Sequence, residues 1–139
     1  MKVEFSPEGA AAATSASMAD VTIVVCASCR DESGSDAHPR PGEILAAAAR
    51  DAAGEAIRVC QVECLGNCKR RLSAAILRDS CWSYVFGDLA IDSGHDLIAG
   101  ARLFATSTDG LIPWRGRPDS LKRGLVARIP PLDALKDIA

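Results

Sequence analysis

The sequence lacks any long apolar run, and it has few aromatic residues, few histidines and little imbalance of charge. No stretch approaches the ~20 consecutive apolar residues that a membrane-spanning helix needs. Residues 1–20 contain no continuous apolar segment of the kind found in signal peptides. The net charge of −2 gives no reason to expect a nucleic acid or an anionic membrane as partner. We therefore expect a cytoplasmic protein that binds neither.

The residue patterns of common catalytic sites are missing as well. His38 and His95 each stand alone in a polar stretch, and no paired-carboxylate or Ser/His arrangement of a hydrolase is discernible. Gly110 and Gly116 have neither the spacing nor the Lys-Ser/Thr ending of a phosphate-binding loop. We therefore expect a protein that is not an enzyme by itself.

What the sequence does have is cysteine, six residues in all. Cys60, Cys64 and Cys68 fall at spacings of four, where an apolar run gives way to a Leu-Gly-Asn turn. Cys26 and Cys29 follow an earlier run of β-branched residues. In a reducing compartment, clustered cysteines indicate a metal or redox site sooner than structural disulfides.

The spacing of apolar residues predicts an alternating order of strands and helices. We predict strands at 21–25 and 57–62, joined by a helix over 43–53 that makes a right-handed parallel crossover. Two further strands, at 73–77 and 82–87, form an antiparallel hairpin. A helix then follows, with Ser93 as N-cap, Asp96 three positions later and Gly110 beyond its end.

This order, β-α-β followed by a β-hairpin and a helix, predicts an α/β protein with a thioredoxin-like fold and a central mixed sheet. Residues 20–139 are expected to form the single domain, and residues 1–19 a disordered extension that has too little apolar bulk to pack. Met18 is an alternative start, which would leave residues 1–17 outside the native protein. Trp82, Tyr84 and Phe86 share one face of a strand with no basic residue between them, which favours core packing over stacking on bases.

Several motifs resemble those of one family. The segment Val62-Glu-Cys64-Leu-Gly-Asn-Cys68 is similar to the second cysteine motif of thioredoxin-like [2Fe–2S] ferredoxins. The chain resembles the DUF1636 family of predicted metal-binding proteins through Cys26-x-x-Cys29-Arg30, Cys64-Leu-x-x-Cys68-Lys-Arg, Trp82-x-Tyr84-x-Phe86-Gly-Asp-Leu89, Pro113-Trp-Arg and Ala127-Arg-Ile-Pro-Pro. This resemblance implies a thioredoxin-like fold and a metal or iron–sulfur site. It also implies a setting near genes for cobalamin biosynthesis and metal homeostasis.

We predict that Cys26, Cys29, Cys64 and Cys68 form one four-thiolate site, because both strand ends lie at the carboxyl edge of the sheet. Thiolates select Zn²⁺ or an iron–sulfur cluster, and the spacing alone does not separate them. The leading interpretation is a [2Fe–2S] centre that serves electron transfer or metal handling. The alternatives are a zinc- or cobalt-binding accessory protein and a dithiol redox protein. The loop at residues 30–42 disfavours the dithiol, since a redox Cys-x-x-Cys opens directly into a helix.

The remaining cysteines and the basic residues receive separate predictions. Cys60 is either a spare ligand or a core residue, with core favoured, and Cys81 is a packing residue. Two groups of cations are expected to face solvent and to meet an acidic redox or metal-handling protein: residues 69–71, next to Cys68, and the later group Arg115, Arg117, Lys122 and Arg123. We leave open whether the protein is a homodimer.

Overall fold

A computed structural model of the protein describes residues 3–4, 21–30, 37–55 and 57–136. Within these residues the elements, in chain order, are β1 (Val3–Glu4), β2 (Val21–Cys26), α1 (Pro41–Ala53), β3 (Ile57–Val62), a 3₁₀ turn (Cys68–Arg70), β4 (Ala74–Arg78), β5 (Ser83–Phe86), α2 (Gly94–Ala105), α3 (Asp119–Arg123), β6 (Leu125–Ile129) and α4 (Leu132–Leu135). None of the helices in the described residues has both the length and the hydropathy of a membrane-spanning segment.

The described strands form one mixed sheet in the order β1-β3-β2-β4-β5-β6. Strands β2 and β3 are parallel and in register from Val21 opposite Ile57 to Cys26 opposite Val62. The other neighbouring pairs are antiparallel. The β2-α1-β3 crossover, the β4-β5 hairpin and the following helix α2 confirm the predicted α/β fold class.

Helices α1 and α2 pack against each other and against the central strands. Helix α1 contributes Leu45, Ala46 and Ala49, all buried, and the small alanines allow the two helices to approach closely. Tyr84 and Phe86 on β5 are buried, and the Tyr84 ring meets the edge of Phe104 with their ring centroids 5.6 Å apart. The prediction of core packing is therefore confirmed for Tyr84 and Phe86, whereas Trp82 is only partly buried against the core and carries the Arg128 guanidinium over its ring.

The start of α2 follows the prediction in position but not in its contacts. Ser93 directly precedes the helix, but its hydroxyl accepts a hydrogen bond from the Ala90 backbone N–H at 2.9 Å and caps no helical N–H. Asp96 instead accepts a hydrogen bond from the Ser120 hydroxyl at 2.7 Å. This contact joins α2 to α3.

The ends of the chain contain structure that the sequence did not predict. Strand β6 and helix α3 follow the last element that we predicted, and β6 extends the sheet beyond β5. Strand β1, inside the predicted extension, pairs with Val62 and Gln61 of β3. The rest of that extension, residues 1–2 and 5–19, lies outside the described residues, as do 31–36 of the predicted loop.

Candidate metal centre

The two thiol pairs lie on neighbouring turns at one edge of the sheet. Because β2 and β3 run parallel and in register, Cys26 at the end of β2 stands opposite Val62 at the end of β3. The turns that follow are tied together by backbone hydrogen bonds from Ala27 N–H to the Val62 carbonyl (2.9 Å) and from Ser28 N–H to the Glu63 carbonyl (3.3 Å). The parallel pairing thus brings the Cys26–Cys29 turn beside the segment that contains Cys64.

Cys26 and Cys29 are both buried, and the Cys26 sulfur lies 3.7 Å from the Ser28 hydroxyl and 3.9 Å from the Glu63 carbonyl oxygen. A hydrogen bond from the Cys29 thiol is the largest cause of the pKa shift at Cys26. That hydrogen bond from Cys29 lowers the pKa of Cys26 to about 5, although burial raises it, and the backbone N–H of Leu65 adds to the lowering. The same bond with Cys26, followed by burial, raises the pKa of Cys29 far above its ordinary value. At neutral pH the pair therefore holds one thiolate and one thiol.

Cys64 and Cys68 form a second pair, nearer the surface. Cys64 is half-buried and accepts a hydrogen bond from the Gly66 N–H at 3.2 Å, whereas Cys68 is exposed. Gly66 has a φ of 76°, a left-handed conformation that favours glycine and that turns the chain back between the two cysteines. The hydrogen bond with Cys64, and then the charge of Cys64, raise the pKa of Cys68.

The two pairs lie within electrostatic reach of each other. The charge of Cys26 contributes to raising the pKa of Cys68, and the charge of Cys68 contributes to raising that of Cys29. Among the described residues, however, no three His, Cys, Asp or Glu side chains form a group that could hold one metal ion. The four sequence-predicted residues are therefore brought together as two pairs and not as one tight cluster.

The Cys64–Cys68 segment is held from behind by contacts that the sequence reasoning missed. The Asn67 amide donates to the Ser73 hydroxyl at 2.9 Å, and Gly87 packs so closely that an added Cβ would lie 2.6 Å from that amide. Gly87 N–H in turn donates to the Gly124 carbonyl at 2.7 Å. The residues that follow β5 and α3 therefore hold this turn in place. In the sequence, Asn67 was the one sign that the turn makes such side-chain contacts.

The other turn is held by the start of α1. Gly42 N–H donates to the Cys29 carbonyl at 3.2 Å, and a Cβ on Gly42 would lie 2.1 Å from the Cys26 carbonyl oxygen. Only glycine allows the helix to begin this close to the thiol turn. His38 is exposed and pairs with Glu43 at 2.7 Å, so it takes no part in the site.

The two remaining cysteines are placed apart from the four. Cys60 is fully buried within β3, and burial raises its pKa, which suits a core residue. Cys81 lies between β4 and β5, at the edge of the sheet opposite the paired cysteines. Neither position suggests a ligand.

Basic residues directly follow the exposed cysteine in the chain. Arg71 donates from Nε to the Cys68 carbonyl at 3.1 Å. Arg70 pairs with Asp88 at 2.7 Å and donates from Nη2 to the Arg123 carbonyl at 3.4 Å. Together with exposed Lys69, these residues form what we call the basic rim, comprising Lys69, Arg70, Arg71 and Arg123.

The expectation that the later cations all stand in solvent is wrong for Arg117. Its side chain is buried, and its guanidinium donates to the backbone carbonyls of Ile112 and Pro113. The same segment supplies Ile112 and Leu121 to the hydrophobic core. A guanidinium can be buried in this way because carbonyl dipoles and ring faces replace part of its water.

Comparison with known proteins gives one match. A family model described as "Protein of unknown function (DUF1636)" matches residues 23–131, which include all four paired cysteines. No curated protein matches the chain, and no solved structure matches it. Because the family model covers most of the sequence, the chain belongs to the DUF1636 family.

Proposed function

We propose that this protein holds a [2Fe–2S] cluster on Cys26, Cys29, Cys64 and Cys68 and carries single electrons between protein partners. The observation that supports the proposal is the arrangement of two thiol pairs on adjoining turns, which the in-register parallel pairing of β2 and β3 brings side by side. In such a carrier one electron is taken from a reduced partner and given to an oxidised one, with no net chemistry on the carrier. The protein would catalyse no reaction by itself.

The pairing of the thiols favours two iron atoms over one metal ion. A four-thiolate zinc site places all four sulfurs at ~2.3 Å from one point. In a [2Fe–2S] centre each iron takes two cysteines, so the ligands come as two pairs. This pairing supports the binuclear group as the leading proposal, and a single ion on the same four thiolates is the alternative.

The surrounding backbone is suited to negatively charged sulfur. Gly66 N–H is directed at Cys64, and Leu65 N–H is directed at Cys26. Hydrogen bonds of this kind stabilise thiolates and adjust the potential of a cluster, which supplies one-electron chemistry when bound. The buried Cys26–Cys29 pair keeps water from one side, while exposed Cys68 faces solvent.

The basic rim supports an acidic redox partner. Lys69 and Arg71 adjoin Cys68, the exposed member of the four, while Arg70 and Arg123 pair with Asp88 and Asp119. An acidic surface docked there would stand next to the cluster. Exposed charges of this kind mainly raise the rate of encounter and set its dependence on salt. We place this exchange in the cytoplasm, where thiols stay reduced until they bind metal.

A dithiol redox protein is the second candidate, and one observation favours it. The low pKa of Cys26 and the high pKa of Cys29, both due first to their mutual hydrogen bond, are typical of a nucleophilic and a resolving thiol. Cys26 is only 2% exposed, however, so its sulfur is closed to a protein disulfide. Zinc or cobalt binding by an accessory protein is the third candidate.

Serine substitutions test the ligand assignment. Cys64→Ser and Cys68→Ser should each abolish the retention of iron, because either change removes half of one ligand pair. Cys81→Ser is the matched control and should retain iron, since Cys81 lies at the opposite edge of the sheet. Iron content would be measured in anaerobically purified protein. Equal loss of iron from all three variants would contradict the ligand assignment. Absence of iron from the unsubstituted protein as well would contradict the cluster and favour the dithiol or zinc interpretation.

A further inference from the structure

A cleft of about 470 Å³ opens beside β5 and β6, and none of the four paired cysteines lines it. Its walls come from the segment at residues 109–117 and from the neighbouring strands β5 and β6. This volume lies within the range of small-molecule sites, about 300–1,000 Å³. The chemistry of the lining residues determines which class of ligand would suit this cleft.

The lining contains a buried cation without a counter-ion. Arg117 is only 8% exposed, and its guanidinium lies over the rings of Tyr84 (5.6 Å to the centroid) and Trp114 (5.1 Å). Its hydrogen bonds go to the backbone carbonyls of Ile112 and Pro113. No carboxylate of the described residues is within ion-pair distance of it. The carbonyls and ring faces compensate its burial in part, and an anion in the cleft would supply the missing counter-charge.

A second cation lines the same cleft. Arg128 is exposed, and its guanidinium lies 4.7 Å from the centroid of the Trp82 ring. Arg117 and Arg128 line the same cleft. Burial lowers the pKa of Arg117, and repulsion by the charge of Arg128 adds to the lowering. One anionic group placed between them would remove that repulsion.

Asp109 is the acidic residue of the lining, and it reduces the positive charge. Its Oδ1 accepts hydrogen bonds from the Ser107 hydroxyl (2.7 Å) and the Leu111 N–H (3.1 Å), and these lower its pKa. The two arginines and this carboxylate leave one net positive charge. A single positive charge suits a monoanion such as a carboxylate better than a dianion such as phosphate.

The rest of the lining consists of apolar side chains and aromatic rings. Leu111, Ile112 and Pro113 line the cleft together with the rings of Tyr84 and Trp114. Trp114 is 60% exposed at the mouth of the cleft. Arginine binds carboxylates with two parallel hydrogen bonds. Arg117 and Lys122 each lie 5.1 Å from the centroid of the Trp114 ring, so an apolar body would meet the exposed edge of this indole beside Leu111 and Pro113. We propose that the cleft binds a small organic carboxylate with a flat apolar body, its carboxylate between Arg117 and Arg128 and its body against Trp114.

The test uses a pair of probes that differ only in charge. Full-length ¹⁵N-labelled protein, as purified, would be titrated with 2-naphthoate and with the neutral 2-naphthamide. The naphthoate should give saturable shifts of the Trp114 indole signal and of the Leu111 and Ile112 amides. The naphthamide should bind about tenfold more weakly or worse, because it cannot form charged hydrogen bonds. Sodium phosphate should give no saturable shift of the indole signal.

Arg128→Gln should weaken naphthoate binding about tenfold, because Arg128 is exposed and its loss leaves the fold intact. Arg115→Gln is the matched control: Arg115 is an exposed cation on the same segment but does not line the cleft. Arg117→Lys keeps the charge and loses the planar fork, so it should weaken naphthoate more than naphthamide. Equal affinity for the two probes, no saturable shift with either, or unchanged binding by Arg128→Gln would overturn the proposal. Phosphate binding as tight as naphthoate binding would overturn the apolar part of it.

Discussion

At the scale of single residues, the hydrogen bond between Cys29 and Cys26 controls the charge in the buried half of the site. It is the largest cause of the low pKa of Cys26 and of the raised pKa of Cys29. Thiolate is the form that binds metal, so Cys26 is ready to ligate at neutral pH while Cys29 must lose its proton when metal binds.

A titration of the reduced, metal-free protein tests this directly. The ultraviolet absorbance of thiolate should rise in a step centred near pH 5, from Cys26. Cys29→Ala should move that step upward, towards the ~8.5 of an ordinary thiol, because the main stabilising hydrogen bond is gone. Cys81→Ala should leave it in place. A step that Cys29→Ala does not move would contradict the account.

The same shift fixes the sign of a stability change. Because the pKa of Cys26 is lower in the folded protein, its contribution is fully present above the unfolded pKa of ~8.5 and is lost as the pH falls towards about 5. The metal-free protein should therefore become less resistant to urea as it is acidified through this window, and Cys26→Ser should show less of this dependence.

At the scale of elements, the start of α1 determines where the Cys26–Cys29 turn can lie. Gly42 supplies a backbone donor to the Cys29 carbonyl and leaves room for the Cys26 carbonyl. A helix that began with a larger residue at this position would have to move away from the sheet.

We expect Gly42→Ala to damage both stability and iron retention. Its Cβ would lie 2.1 Å from the Cys26 carbonyl oxygen, and neither backbone can yield without moving the turn. Overpacking of this kind costs about 1–3 kcal/mol, which thermal unfolding would show as a lower Tm. Ala47→Ser, an exposed position on the same helix, should change stability by less than ~0.5 kcal/mol. Matching Tm values for the two variants would show that the close approach is absent.

The central elements were predictable from the sequence because their apolar pattern is strong. Strand β3 has the predicted bounds, and α1 and the β4-β5 hairpin lie where the pattern placed them. Strand β6 was missed because residues 126–129 of its five are exposed, so no alternation marks it. Helix α3 has five residues and is too short for a helical period.

The thiol pairs were predictable from spacing, but their supports were not. The contacts of Asn67 with Ser73 and of Gly87 with Gly124 join residues from separate elements, and no local pattern encodes them. The burial of Arg117 was missed because arginine is usually exposed, and only the folded chain shows the rings and carbonyls around it.

At the scale of the whole molecule, charge is arranged more unevenly than the net value of −2 suggests. The basic rim is concentrated at the sheet edge that holds the cysteines. Asp88 offsets Arg70 in part. The local field near Cys68 should therefore attract anions even though the protein carries a small negative net charge.

Oxidation of the reduced protein by ferricyanide tests that field without a known partner. The rate should fall about threefold or more at low salt in the double variant Lys69→Gln/Arg71→Gln, because attraction of the anion is weakened. Added salt should reduce the difference. Arg102→Gln/Lys136→Gln removes two exposed cations from other parts of the surface and serves as the matched control. Equal rates in the two double variants would show that the basic rim does not steer redox partners.

The most direct test of the central claim is the composition and colour of anaerobically purified protein. The account predicts about two iron atoms and two acid-labile sulfides per chain, with visible absorption that dithionite bleaches. It also predicts that Cys64→Ser and Cys68→Ser remove both. A colourless protein that holds one zinc or cobalt ion per chain, or no metal at all, would contradict it.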